Sequence, residues 1–473
     1  MVTTNVNVGA RETVAPAAAS KLYFAAWRWH FYAGLYVIPF FLMLAVTGLC
    51  MLWIAHLGGR DGERITVVPG DAPMALSQQA AAARDAVPGG RLMQYIAPRE
   101  ADRAAVFRVD TADGAAMMVA VDPYAANVID SWPRRNGAYD LADRIHGELM
   151  LGVTGDRMVE IAASLGMVLV ASGLYLWWPR NGRSWRDALL PRLGRGRSMW
   201  KSLHGAVGFW LSIVLVFFLV SGLSWAGIWG EKMMQAWNQF PAEKWGAPLS
   251  HANHGSLTNG PKDVPWTLEL TPLPLSGSVA GAEGVAEGLP LTIDVMDRFA
   301  REIGFETGNG ARFQMNLPQG HEGVWTFSRD SMSTDSLDPT ADRTVHVDRH
   351  TGRILADVRY DDYSLYGKAM AVGIALHMGT LGLWSVLANT VFCLAVIGLC
   401  ISAVVMWWIR RPAGAGRLAA PPMPRDMPLW QGARLVGLAV SLAFPMAGLT
   451  ILAVLALDTL VLQRLPGLRQ RLS

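Results

Sequence analysis

Trp29-His30-Phe31-Tyr32-Ala33-Gly34, completed by Val46-Thr47-Gly48, returns later in the chain as Leu203-His204-Gly205-Ala206-Val207-Gly208 completed by Val220-Ser221-Gly222. In both copies the first glycine, the hydroxyl residue and the second glycine follow the histidine at offsets of 4, 17 and 18. At 3.6 residues per turn, an offset of 18 is five whole turns, so the His and the far Gly share one helix face about 27 Å apart. That is close to the depth of a bilayer core, about 30 Å. A face with an imidazole at one end and bare backbone at the other predicts a membrane helix that serves two stacked, flat cofactors.

Composition supports a membrane protein. Of 473 residues, 52% are hydrophobic and only 17% charged, and mean hydropathy is +0.25, which is poorer in charge than an ordinary soluble domain. Apolar runs long enough to span occur at about 31–54, 159–178, 209–229 and 384–409, with a further run at 435–462. Trp27, Trp29, Trp53, Trp177, Trp178, Trp229, Trp407 and Trp408 sit at their ends, where indole rings anchor at the interface. The first run is too long for a cleaved signal and no A-x-A site follows it. A net charge of +3 gives no argument for a nucleic-acid partner, and none is expected.

Basic residues predict the orientation. Arg180, Arg183, Arg186, Arg192, Arg195, Arg197 and Lys201 face the single acid Asp187 between the second and third spans, which places that loop in the cytoplasm. Arg410, Arg411 and Arg417, and Arg11, Lys21 and Arg28 before the first span, agree. The long connections 56–145 and 231–370 are then outside, in the periplasm of a bacterium. The expected division is a disordered tail 1–20, spans at 21–55, 141–180, 200–230 and 367–411, modules at 56–140 and 231–366, a basic loop 181–199, a linker 412–428, and a C-terminal helix or hairpin 429–473. Pro445 divides that last run, and Arg464, Arg469 and Arg471 favour the hairpin.

The chain reads as an internal duplication, each half being span, outer module, span. Val121-Asp122-Pro123-Tyr124 with Asn127-Val128-Ile129 parallels Val347-Asp348-Arg349-His350 with Gly352-Arg353-Ile354, each a strand, a turn and a strand. Stretches 74–86 and 293–303 are helical by pattern. Stretches 105–109 and 117–121 form a hairpin around Asp113-Gly114, and 314–317, 324–328 and 344–347 alternate likewise. Each module is thus a small α+β unit, and 272–289 is a Gly- and Pro-rich insertion. The fold class is a mainly α-helical integral membrane protein of duplicated halves.

Ionisable residues in membrane spans are costly and functional by default. His30 and His204 begin outward-going helices near the cytoplasmic face; His146 and His377 begin inward-going helices near the periplasmic face. The pairing is therefore His30 with His204 on one haem and His146 with His377 on the other. Two imidazoles close both axial positions, which favours electron transfer over oxygen chemistry. Gly34 and Gly208 give the porphyrin clearance at the first site, and Gly48 and Gly222 at the second. Met378 is a substitute ligand. His251, His254, His321, His346 and His350 read as loop histidines, and His56 follows the first span. Cys50, Cys393 and Cys400 make no C-x-x-C-H, so the two haems are noncovalent and b-type. Arg28, Lys201, Arg144 and Lys368 suit propionates or lipid headgroups alike. A nucleotide fingerprint is not seen: Gly194-Arg195-Gly196 lies in a short basic loop.

The helix-plus-sheet modules, the V-D-P-Y and V-D-x-x-T-G-x-I turns, the His-Gly openings and the ending Leu174-Tyr175-Leu176-Trp177-Trp178-Pro179-Arg180 resemble the PepSY-associated transmembrane family across about 21–412. The first module has Ala125-Ala126-Asn127 where Thr-Gly is the pattern; Asn127 tolerates the left-handed conformation. The resemblance implies a di-haem reductase of ferric siderophores, or of other ferric chelates, in the bacterial inner membrane. The expected route runs from a cytoplasmic reductase or quinol, through the inner haem to the outer one, to a chelate held between the two modules. Two rivals are a haem-free regulatory scaffold, as isolated PepSY modules suggest, and an iron-complex transporter. The latter calls for broken helices at mid-membrane, yet Pro39, Pro445 and Asp458 are the only notable interruptions.

Overall fold

The computed structural model describes residues 18–60, 62, 64–180, 182, 184–258, 264–307, 312–333, 336–411, 418–421, 431–460 and 464–465. Expectations for the tail 1–17, most of the linker 412–428, and Arg469 and Arg471 lie outside them. In chain order, α1 (Ala18–Gly58) leads to α2 (Leu76–Asp85), β1 (Arg91–Ile96), β2 (Ala105–Asp110), β3 (Ala116–Val121), β4 (Val128–Pro133), α3 (Ala138–Glu148) and α4 (Val153–Trp177). A short α5 (Trp185–Leu189) precedes α6 (Gly196–Leu223), and a π-helix at Gly227–Gln235 runs into α7 (Ala236–Asn238). Then come β5 (Leu249–Asn253), β6 (Pro272–Pro274), α8 (Ile293–Glu302), β7 (Gln314–Asn316), β8 (Val324–Arg329), β9 (Arg343–Asp348) and β10 (Ile354–Arg359). The chain continues through α9 (Leu365–Met378), α10 (Leu383–Arg410), α11 (Gln431–Ala443) and α12 (Pro445–Leu460).

Four helices, α1, α4, α6 and α10, are long and apolar enough to cross a membrane, and this is a membrane protein. Only 22–33% of each apolar window is buried against protein, so most of each surface is left for a nonpolar solvent. Two compact units divide the chain: 1–39, 164–212 and 399–473 form one, 40–163 and 213–398 the other.

In the first unit, Trp177 stacks on Phe209 with ring centres 4.0 Å apart and donates its indole N–H to Ala188 O at 2.9 Å. A buried indole needs such an acceptor. Arg410 lies over the rings of Trp27 and Phe31 at 5.1 and 5.2 Å, which lets a cation end an apolar helix. The C-terminal run is two helices. A Cβ on Gly448 would stand 2.7 Å from Ser441 Cβ, whereas residues seven apart on an unbroken helix are about 10 Å apart, so the chain bends sharply at Phe444-Pro445.

The second unit holds one antiparallel sheet of eight strands, ordered β10-β9-β8-β7-β1-β2-β3-β4. The sequence suggests two separate small sheets; instead β1 pairs with β7, Gln94 opposite Asn316 and Ile96 opposite Gln314, and joins them. Two edges that would each be exposed are thereby satisfied by one another. One face is apolar: Tyr95, Phe107, Val109, Val119, Met315, Phe327 and Val345 pack against Leu76, Ala80 and Ala83 of α2 and Met296 and Phe299 of α8. The tight turn of the first half places Ala126, not Asn127, in the left-handed region at φ 51°, where Gly352 of the second half has φ 70°. The position that matches Gly352 takes the conformation, because it closes the turn: Ala126 N–H donates to Asp122 O, as Gly352 N–H does to Asp348 O.

The stretches 141–180 and 367–411, expected as one span each, are two helices each. Leu149 and Met150 adopt φ of 52° and 59° and end α3; Gly379 at 74° ends α9. His146 and His377 therefore sit on short helices ahead of the spans α4 and α10. Glu160 is a buried acid in α4, and its carboxylate accepts the N–H groups of Ile228 and Trp229 at 3.2 and 2.9 Å at the start of the π-helix, with Arg157 at 3.2 Å. That is a helix-terminus cap for a charge that would otherwise be prohibitive.

Candidate functional site: two imidazole pairs

His30 on α1 and His204 on α6 face each other in the first unit, ring centres 6.4 Å apart and planes at 89°. His30 Nδ1 is 2.9 Å from Ser172 Oγ of α4, and His204 Nδ1 is 2.8 Å from Ser402 Oγ of α10. Each serine hydroxyl is committed elsewhere as a donor: Ser172 to Val168 O and Ser402 to Leu399 O, both at 2.7 Å. A hydroxyl has one proton, so its oxygen accepts from the imidazole, which places the ring proton on Nδ1. Nε2 is then the basic nitrogen, the tautomer that a metal-ligating histidine needs.

The second unit repeats this logic. His146 Nδ1 lies 2.9 Å from Thr47 Oγ1, which donates to Met43 O at 2.7 Å. His377 Nδ1 lies 2.7 Å from Ser221 Oγ, which donates to Phe217 O at 2.8 Å. The two rings are within electrostatic reach of each other. Behind His377, Phe218 sits 4.8 Å away and stacks on Phe392 at 4.0 Å. Asn389 Nδ2 donates to the carbonyls of Leu376 and His377 at 2.8 and 3.1 Å, which holds the C-terminal end of α9 in place.

Of the four glycines singled out, Gly48 and Gly222 lie beside imidazoles: a Cβ there would stand 3.6 Å from His146 Cε1 and 3.8 Å from His377 Cε1. Gly208 faces Leu399, and Gly34 has open space. Gly173, which the sequence reading passed over, is the tightest: its Cβ would be 3.2 Å from His30 Cε1. Ser172 and Ser402 were missed too. Their signal is a recurring tetrapeptide, Val46-Thr47-Gly48-Leu49, Ala171-Ser172-Gly173-Leu174 and Val220-Ser221-Gly222-Leu223, with Ser402-Ala403 as the fourth variant.

The other candidates are placed differently. His254 and His346 are buried together in the sheet domain, Nε2 to Nε2 at 2.7 Å. His321 and His350 pair on the surface, ring centres 4.8 Å apart, and His251 is exposed. His56 packs edge-on against Trp53. Met378 packs with Trp266, Met332 and Met370. Arg28 donates to Pro421 O and Tyr32 Oη, and Lys368 lies 3.9 Å from Asp361. All three cysteines are free thiols. Among the described residues, no group of three or more His, Cys, Asp or Glu converges on a point.

Paired imidazoles with basic Nε2 atoms suit a metal whose remaining ligands come from a macrocycle. Metal–imidazole bonds of about 2 Å, with about 1.1 Å more from Nε2 to the ring centre on each side, give about 6.2 Å between ring centres. The 6.4 Å between the His30 and His204 ring centres is of that size. A family model described as PepSY-associated TM region matches residues 27–410. Comparison with curated proteins finds no match.

Proposed function

The chain belongs to the PepSY-associated transmembrane family, and from that premise we propose that it is a di-haem b-type electron-transfer protein that reduces ferric siderophores or other ferric chelates and releases Fe(II). The observation that carries this reading is the fourfold hydroxyl–imidazole arrangement: His30 with Ser172, His204 with Ser402, His146 with Thr47, His377 with Ser221. Each hydroxyl fixes its ring's tautomer and rotation, which is the support a strong axial ligand requires. The haems, when bound, supply one-electron transfer at potentials set by those ligands and their burial.

We read the two halves of the sheet as copies of one module, and the basic stretch 180–201 as cytoplasmic. The sheet domain is then periplasmic, in the bacterial inner membrane. A cytoplasmic reductase or the quinol pool provides one electron per iron. A slot between the modules is closed by the β1–β7 ladder, so the chelate is assigned to the periplasmic side but not to that seam. Hard oxygen ligands hold ferric iron better than ferrous, so the chelate loosens once the electron arrives. His30, His204, His146 and His377 hold the metal groups; no residue forms a covalent bond to substrate.

The test is a spectrum of the detergent-purified protein. Dithionite-reduced b-type bands with two haems per chain, and re-oxidation by ferric chelates without oxygen, are expected. A preparation that stays colourless after reconstitution with hemin overturns the reading in favour of a scaffold.

A further inference from the structure

We propose that β5 and the turn after it, residues 249–258, form an acid-opened cover over a polar floor on the sheet, with His254 and His346 as its latch.

The floor is the face of the sheet opposite α2 and α8. Arg108, Gln94, Asn316, Thr326 and His346 stand in direct cross-strand register, one strand after another. Gln314, Ser328 and Thr344 form the next row. All are at most 4% exposed. Some of the row is bonded internally, Gln94 Nε2 to Gln314 Oε1 and Gln314 Nε2 to Ser328 Oγ, each at 2.9 Å. Gln94 Oε1, Asn316 Oδ1 and Thr344 Oγ1 have no hydrogen-bond partner among the described residues. Polar atoms sealed without partners are a standing penalty that contact with water removes.

The latch is determined by its hydrogen bonds. Thr271 O, 2.9 Å from His254 Nδ1, can only accept, so that nitrogen carries the proton. His254 Nε2 therefore presents a lone pair, and His346 Nε2 donates to it at 2.7 Å. His346 Nδ1 is left to accept from Thr326 Oγ1 at 2.9 Å. A first added proton goes to His346 Nδ1, where Thr326 Oγ1 must turn from donor to acceptor, and a second makes both Nε2 atoms donors; either places charge in a fully buried site beside Trp245, which packs on both imidazoles at 5.8 and 5.5 Å. The far end of the cover is held by Arg108 Nη1 to Leu257 O at 3.0 Å and by Arg134 to Thr258 O.

No carboxylate bonds either ring among the described residues. Asp348, two residues along β9 on the same face, is taken up by the N–H groups of Gly277, His350 and Thr351. Glu269 accepts from Gln235; Glu243, Lys244 and His251 are exposed. Burial pushes His254 down to about 4 and His346 well below its ordinary value. The closed form thus resists protonation, and the open form, with rings near 6.5, gains as pH falls from about 6.5 towards 4. For His254 alone, the opening equilibrium rises about 30-fold between pH 7.5 and 5.

Hydrogen–deuterium exchange on the full-length protein, corrected for intrinsic rate, tests this at pH 7.5 and 5. Peptides covering 249–258 are expected to lose protection about 30-fold, while α2 and α8 stay unchanged. The double variant His254→Gln/His346→Gln, which keeps hydrogen-bonding amides but cannot titrate, is expected to exchange equally at both pH values. Equal wild-type protection at both pH values, or a pH response retained by the double variant, overturns the proposal.

Discussion

His30 and His204, from helices 174 residues apart in sequence, stand with ring centres 6.4 Å apart and planes at 89°. In the proposed reading the two close both axial positions on one iron. Replacing His30 or His204 by Ala is therefore expected to lower haem content from two to one per chain, and the double variant to leave it at one. Replacing His146 or His377 is expected to remove the other haem. Pyridine haemochrome titration against protein concentration reads this directly, and a loss of both haems from any single variant counts against the pairing.

The hydroxyls make a finer claim than the ligands. Ser172→Ala leaves His30 without the oxygen that fixes its Nδ1 proton, so ring rotation and tautomer are no longer set. Haem affinity at that site is expected to fall about 10–100-fold, with a shifted midpoint potential in whatever fraction remains loaded. Ser172→Thr retains the hydroxyl and is expected to restore both. Redox titration of the two haems separates this from general misfolding, because the second site should titrate normally.

The membrane half of this architecture was legible because its signals are long-range and periodic: an 18-residue offset on one helix face, and tryptophans at the ends of apolar runs. Two of the four hydroxyl partners were not, since Ser172 and Ser402 look like ordinary back-bonding residues on packed helices until the imidazoles are placed beside them. The joining of the two sheets also escaped notice. Strand registry between Gln94 and Asn316, 222 residues apart, leaves no mark in local alternation. The end of α3 is hidden for a local reason: left-handed Leu149 and Met150 have no glycine to announce it, whereas α9 does end on Gly379.

Glycine positions separate close approach from open space. A Cβ at residue 173 would stand 3.2 Å from His30 Cε1, so Gly173→Val is expected to displace the ring and lose the first haem. Gly34→Ala adds a methyl where no protein atom lies within 4 Å, one turn from His30 on the face assigned to the porphyrin, so it is expected to weaken binding of the first haem without displacing the imidazole. Thermal melts followed at the Soret band distinguish the two.

Ala126 and Gly352 occupy matching turn positions, and the two should respond oppositely to exchange. Ala126→Gly relieves a left-handed alanine at φ 51° and is expected to stabilise the sheet domain by about 0.5–1 kcal/mol. Gly352→Ala imposes the same strain at φ 70° and brings a Cβ to 2.9 Å from Val285 Cβ, so a loss of about 1–3 kcal/mol is expected. Chemical denaturation of each variant gives the sign.

Asp342 supplies a pH test of the sheet domain that is independent of any metal. Burial, followed by the charge of Asp330, pushes its carboxyl well above the usual range. A carboxyl raised in the folded state binds its proton more tightly there than in the unfolded chain. Its stabilising effect is therefore complete below the unfolded value of about 4 and is lost as pH climbs towards the folded one. Asp342→Asn keeps an oxygen to accept Ser331 N–H, 3.1 Å away, and removes the charge. The variant is expected to melt higher than wild type at pH 8, with the gain shrinking towards zero at pH 4. A variant that is less stable at pH 8 would show that Asp342 is ionised in the folded protein and held by a cation.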